Sequence, residues 1–306
     1  MAILQEVPGV AVTIRVNDVD CVEYDDPNAS EQPLDKPTSS KYIESPDDAE
    51  YTIHIKIDSA YDWSYKNHMM GVTAASDGLH ISSDVFTKDN EVTERDISAR
   101  EEFCQDTNHW HSRKPMFSRV KIVNNATEER IESDNEMSEK LGLIEVHVIR
   151  VTNDGQVQGN NDESKRQARA SVTCAEESVK GKAISHGTVF SAAERIQEPE
   201  YLDLPILDED MGPIAVFLFR YRSKEALQQE LIIPAAPRNL DGYSEAELRR
   251  LASERLDQID EEKVEKVKKE RKFVKREAGE IEDLTQDDRP SKLSRTEPVF
   301  IDLTDD

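Results

Sequence analysis

The last eight residues of the chain, Val299, Phe300, Ile301, Asp302, Leu303, Thr304, Asp305 and Asp306, combine an alternating apolar trio with a trailing acid pair. Side chains of an extended segment point to opposite faces with a period of two, so Val299, Ile301 and Leu303 share one face. The chemistry open to such a segment is recognition. It can add as a strand to the exposed sheet edge of a partner, where main-chain hydrogen bonds provide affinity, pockets select the apolar side chains, and the carboxylates meet Lys and Arg beside the groove. A weaker copy upstream, Ile281, Asp283, Leu284 and Thr285, repeats the Asp-Leu-Thr core ahead of Asp287 and Asp288, with Glu282 where an aliphatic residue is expected. The competing reading makes Val299–Asp306 the last strand of the chain's own sheet or a tail without a partner, and the upstream copy a plain acidic tail. Pro298 just before the segment favours recognition, as do apolar residues concentrated where an unpartnered tail gains nothing from them.

Val299–Asp306 resembles a SUMO-interacting motif, from which Phe300 departs because an aliphatic residue is usual there. SUMO or SUMO-modified proteins are therefore the expected partners, and two working copies would favour chains of the modifier through effective concentration. Upstream, Lys263–Arg276 holds eight basic and two acidic residues, whereas Glu277–Asp306 holds ten acidic and three basic. Within the basic block, Lys268, Lys269, Arg271, Lys272, Lys275 and Arg276 resemble a nuclear localisation signal; a solvated helix face with Glu–Lys pairs is the alternative. Val274-Lys275-Arg276-Glu277 resembles a SUMO-acceptor site centred on Lys275. Val267-Lys268-Lys269-Glu270 has the same pattern, which arises easily by chance in a Lys/Glu-rich helix. The expected location is the nucleus, with the cytoplasm as the alternative.

Signals for catalysis are weak by comparison. Cys104, His109 and His111 lack a fourth metal ligand and a scaffold at that spacing. Ser185-His186-Gly187 has no nucleophile-elbow glycines around it, no Gly-rich phosphate loop is present, and the acids from Asp203 to Asp210 lack metal-loop spacing. No cofactor, no metal and no enzymatic activity are expected. Three cysteines, Cys21, Cys104 and Cys174, without a CxxC pair, encode neither a disulfide framework nor a zinc ribbon and suit a reducing compartment.

The elements that must carry these segments follow from composition and pattern. Of 306 residues, 36% are hydrophobic and 34% charged, and the net charge is -25. That balance makes unaided binding to a nucleic-acid backbone unfavourable and suits basic partners. The densest apolar stretch, Ile214–Phe219, is far too short to span a bilayer, and the start, MAILQEVPGV, has no secretory pattern, so a soluble intracellular protein is expected. Val10–Val16, Tyr51–Ile57, Phe117–Val123, Leu143–Val151 and Ile214–Tyr221 read as β-strands, with a sixth around Leu79–Ser82. No stretch before Arg220 sustains a helical apolar period, which excludes parallel folds built on helical crossovers. The expected fold class is mostly β: an antiparallel β-sandwich or barrel-like domain over residues 1–238, followed by a long charged helix and a disordered acidic tail. Polar insertions at about 84–113, 124–140 and 153–182 read as disordered loops within the domain. A short helix capped by Ser223 and the prolines of Leu231–Pro237 close it. Ser244 and Glu247 form a capping box that opens the charged helix over 239–277, and 278–306 is the tail. Leu248, Leu251, Leu256, Ile259, Val264 and Val267 are spaced alternately three and five apart. Such a stripe drifts about 80° every eight residues, which argues against a long dimeric coiled coil.

The segments Ser40-Lys-Tyr-Ile-Glu44 with Ala49-Glu-Tyr51, Leu143-Ile-Glu-Val-His-Val-Ile-Arg-Val151 and Pro213–Leu227 occur in an order that resembles an uncharacterised fungal family carrying a domain of unknown function. The resemblance covers roughly residues 1–235. It implies one β-rich domain with a charged helical tail, and it supplies no activity, ligand or catalytic residue. The insertions at Asp84–Arg113 and Asn153–Lys182 exceed what the family leads one to expect. Two functions follow from the sequence. The first is a non-enzymatic nuclear adaptor whose domain binds an unknown protein partner and whose tail binds SUMO. The alternative is an acidic chaperone-like binder of basic nuclear proteins such as histones. An enzyme assembled from distant residues in a cleft is a third class.

Overall fold

A computed structural model describes residues 1–29, 36–65, 67–88, 93–124, 126–152, 157–158, 171–207, 212–235 and 249–250. The chain divides into two units, Met1–Ala236 and Pro237–Asp306, and nearly all described residues lie in the first. In chain order its elements begin with β1 (Ala2–Ile3), β2 (Val10–Val16), β3 (Val19–Asp20), β4 (Glu23–Asp25), β5 (Thr38–Glu44), β6 (Tyr51–Ile57), β7 (His68–Ser76) and β8 (Leu79–Phe86). They continue through β9 (Thr93–Ile97), β10 (Arg100–Cys104), β11 (His109–Arg113), β12 (Pro115–Arg119), β13 (Lys121–Val123), α1 (Glu128–Lys140), β14 (Leu143–Thr152) and β15 (Val157–Gln158). The last are β16 (Thr173–Ala175), α2 (Glu176–Val179), β17 (His186–Phe190), β18 (Glu194–Ile196), β19 (Leu202–Asp203), β20 (Ala215–Arg222) and α3 (Lys224–Gln229).

Two main sheets share one apolar core. In the first, ordered β1-β2-β6-β9 with β3 also pairing onto β2, the register sets Val10 against Ile57, Val12 against Ile55 and Ile14 against Ile53. All six are buried, as the period-two pattern of both strands requires. The second sheet runs β4-β5-β20-β14-β7-β8. Its Val72, Val146, Phe217 and Phe219 meet Ile14, Ile53 and Ile55 of the first in a single cluster of buried side chains. Smaller ladders join β10-β11-β18, β12-β17, β13-β16 and β15-β19.

The expected mostly β domain is present, with five corrections. No barrel closes. The sheets are not purely antiparallel, because β5 runs parallel to β20 and β13 parallel to β16. The segment 84–113, expected to be a disordered insertion, contains β9, which pairs with β6, and β10 and β11, whose mutual pairing links Arg100 with Arg113 and Cys104 with His109. The segment 124–140, expected to be a loop, forms α1 over 13 residues, capped by Thr127. An apolar stripe does not hold this helix. Its Asp134 is buried, accepts a hydrogen bond from the Ala175 N–H at 2.8 Å and pairs with Arg130, whose guanidinium also donates to the Thr173 carbonyl. Polar contacts leave no 3.6-residue signature, so apolar periodicity misses the helix. Within 153–182, β15, β16 and α2 also form. At the end of the domain α3 starts as expected, with the Ser223 hydroxyl accepting from the Ala226 N–H.

The charged helix expected over 239–277, apart from Arg249 and Arg250, which are helical, lies outside the described residues. So do the basic block and both motifs of the tail at 278–306.

Candidate functional site

A cavity of about 380 Å³ opens in the first unit, and its walls come from segments distant in sequence. The β6–β7 connection supplies Tyr61, Asp62 and Tyr65, the β1–β2 turn Glu6, Val7 and Pro8, and the residues entering β5 Lys36 and Pro37. Arg150 of β14 and Pro213 and Ile214, ahead of β20, complete it.

Local hydrogen bonding shapes the aromatic wall. The Asp58 carboxylate accepts from the Ala60 N–H at 2.8 Å, and the Asp62 carboxylate accepts from both the N–H and the hydroxyl of Ser64. These are the turns that Asp side chains make by mimicking backbone. They stagger Tyr61, Trp63 and Tyr65 so that Tyr61 is buried, Trp63 half-buried and Tyr65 exposed. Tyr61 and Trp63 meet edge to face at 4.8 Å. The Tyr61 hydroxyl lies 3.1 Å from His68 Nε2, and His68 also packs on Trp63 at 5.3 Å and Tyr65 at 5.8 Å. The Arg150 guanidinium sits 4.2 Å over the Tyr65 ring, a cation–π contact. Behind the wall, Gly9 takes φ +82° where any Cβ would strike the Tyr61 backbone nitrogen, and its carbonyl accepts from the Asp58 N–H. The arrangement can grip a ligand between flat rings and prolines, with charges of both signs at the rim.

The framework behind the β strands is pinned by a buried polar chain. Asp77 accepts from the Gly142 N–H, the Thr188 N–H and the Tyr221 hydroxyl, at 2.8, 2.7 and 2.6 Å. Because Tyr221 donates to Asp77, it accepts from Thr188, which in turn accepts from Tyr51 and Ser76. Burial first, and then the Asp77 charge, push the Tyr221 phenol well above its usual pKa, so it stays a donor.

Residues 9–236 match the family model described as Domain of unknown function (DUF7918). The chain belongs to this family. No curated protein and no solved structure matches it. The match closes at Ala236, where the first unit also ends.

Within the DUF7918 domain the weak catalytic candidates lie in hydrogen-bonded and strand-paired surroundings. Ser185, His186 and Asp47 do line up: Ser185 Oγ lies 3.0 Å from His186 Nδ1, and His186 Nε2 lies 2.7 Å from Asp47 Oδ1. However, Ser185 Oγ also accepts from the Ser223 N–H at 2.7 Å, and Arg119 binds the Asp47 carboxylate. The set ties β17 to the residues ahead of β6 and to the start of α3. The Arg119 and then the His186 hydrogen bond lower the Asp47 pKa to about 2. Cys104 and His109 face each other across the β10–β11 hairpin while His111 opposes Glu102, and among the described residues no group of three potential ligands gathers. Hydrogen bonds from Thr107 lower the Cys104 pKa. A second, shallower cavity of about 470 Å³ is lined by His109, Trp110, Arg195 and Glu198.

None of the sequence-predicted recognition residues, from Lys268 through Asp306, falls among the described residues. The pocket was missed. Its signal was present as Tyr61, Trp63 and Tyr65 at every second position of one short segment, but its other walls share no sequence pattern.

Proposed function

We propose that this protein is a non-enzymatic nuclear adaptor. Its domain, read at finer grain as a two-sheet sandwich, engages a protein partner, and its tail binds SUMO or SUMO-modified proteins by strand addition. The observation that carries this reading is the Val299, Ile301 and Leu303 alternation followed by Asp305 and Asp306, lying beyond the residues matched by the family. Ile281, Asp283, Leu284 and Thr285 act as the weaker copy, Lys275 as an acceptor for the modifier, and the basic block around it as the nuclear signal. A labelled SUMO protein titrated with a peptide spanning Arg295–Asp306, and with its Ile301→Ala, Leu303→Ala form, tests the reading. Saturable binding by the first and a loss of about tenfold or more in the second are expected. Equal responses, or none, remove it.

A second reading, a chaperone-like binder of basic nuclear proteins such as histones, is favoured by the charge of the domain itself. Of 64 acidic and 39 basic residues, 20 and 15 lie after Ala236, which leaves 44 acidic against 24 basic in the first unit.

A further inference from the structure

We infer that the cavity between the β1–β2 turn, the β6–β7 connection and the segments entering β5 and β20 is a docking site for a proline-rich peptide with a basic residue beside its prolines. The inference deepens the adaptor reading by giving the chemistry of the domain's partner, and it rests on that reading only for the domain being a partner-binding module.

Three properties of the site fit such a ligand. A polyproline helix presents rigid pyrrolidine rings, which pack best on flat apolar surfaces. The rings of Tyr61 and Tyr65, together with Pro8, Pro37 and Pro213, supply that surface. Such a helix makes no hydrogen bonds within itself, so its carbonyls need outside donors. Lys36 and Tyr65 belong to the lining, and their ammonium and hydroxyl are donors of the needed kind. The third property is charge: Glu6 and Asp62 are exposed acids on the same lining, in a domain with 20 more acidic than basic residues. A basic side chain at the end of the peptide would meet carboxylates there.

The wall is organised before any ligand arrives. Tyr61 is buried and bonded to His68, and the turns at Asp58 and Asp62 hold the rings at fixed spacing. A stiff ligand and a stiff site together lower the entropy lost on association. Lys36 and Arg150 on the same lining weigh against a long polycation and in favour of one or two basic residues next to an uncharged proline run.

The test uses the full chain and fluorescence anisotropy of three fluorescein-labelled peptides: decaproline ending in two arginines, decaproline ending in two glutamates, and a Gly/Ser peptide ending in two arginines. Saturable binding is expected for the first, weaker binding by about tenfold for the second and none for the third. Tyr65→Ala, at an exposed position that leaves the core intact, should weaken the first by about tenfold. Glu6→Gln combined with Asp62→Asn, which keeps the acceptor for Ser64, should bring the first two peptides to the same affinity. Failure of the first peptide to bind overturns the inference. So does equal binding of the Gly/Ser peptide, which would indicate charge alone, or an affinity indifferent to Tyr65→Ala. SUMO titrated into the same samples separates the two readings: a wild-type chain that binds SUMO but not the first peptide removes only the pocket proposal, one that binds the peptide but not SUMO removes only the tail reading, and Tyr65→Ala should leave SUMO binding unchanged.

Discussion

At Asp47 two donors converge on a carboxylate whose side chain is 44% exposed, Arg119 at 2.6 Å and His186 at 2.7 Å. Its pKa falls to about 2, below the usual value near 3.9, so the folded state holds the ionised form more strongly than the unfolded state does. The resulting stability is fully present above about pH 4 and is lost as pH falls through about 2. Replacing Asp47 by Asn removes that contribution, so the urea midpoints of wild type and variant should differ at pH 6 and converge toward pH 2. A constant difference across that range contradicts the assignment. The Asp77 carboxylate is a different case, since it is buried and accepts three donors. Buried polar groups on this scale stabilise a fold only when every partner is supplied, and here the partners come from β17, β20 and the turn before β14.

Among the elements, the β1–β2 turn shows how backbone freedom supports the pocket. Gly9 occupies the left-handed region, and a Cβ there would collide with the Tyr61 backbone and approach Asp58 Oδ1 at 2.9 Å. Gly9→Ala is therefore expected to destabilise the domain by more than about 1 kcal/mol, read as a lower urea midpoint. A midpoint unchanged from wild type would falsify the role given to this turn. The β8 edge of the six-stranded sheet is guarded by side chains: Arg100 donates to the His80 carbonyl and Arg95 to the Val85 carbonyl. Edge carbonyls that are satisfied in this way offer a poor template for an added strand.

For the whole molecule, charge sets the terms of association. A domain with 44 acids and 24 bases attracts cations over about a Debye length, a range that salt shortens. If the histone reading holds, residues 1–236 should capture core histones at about 0.05 M salt and lose about tenfold or more in affinity by about 0.3 M. Binding indifferent to salt, or absent at the lower concentration, would remove that second reading while leaving the tail reading to its own test.

Local pattern determined the strands that line the core. Val10–Val16 and Tyr51–Ile57 coincide with β2 and β6, because each places β-branched or aromatic residues at every second position and those positions are buried in the core up to Ile14 and throughout β6. The Ser223 cap was legible for the same reason, as short-range chemistry. The tertiary structure alone decided which strands pair, including the parallel match of β5 with β20 across more than a hundred residues. It also decided that the polar segment 128–140 is a helix, since that helix is held by Asp134 and Arg130 contacts to β16. The cavity belongs to this second class. Glu6, Lys36, Tyr65, Arg150 and Pro213 become neighbours only when the two main sheets share one core, and no spacing along the chain encodes a contact that arises from packing.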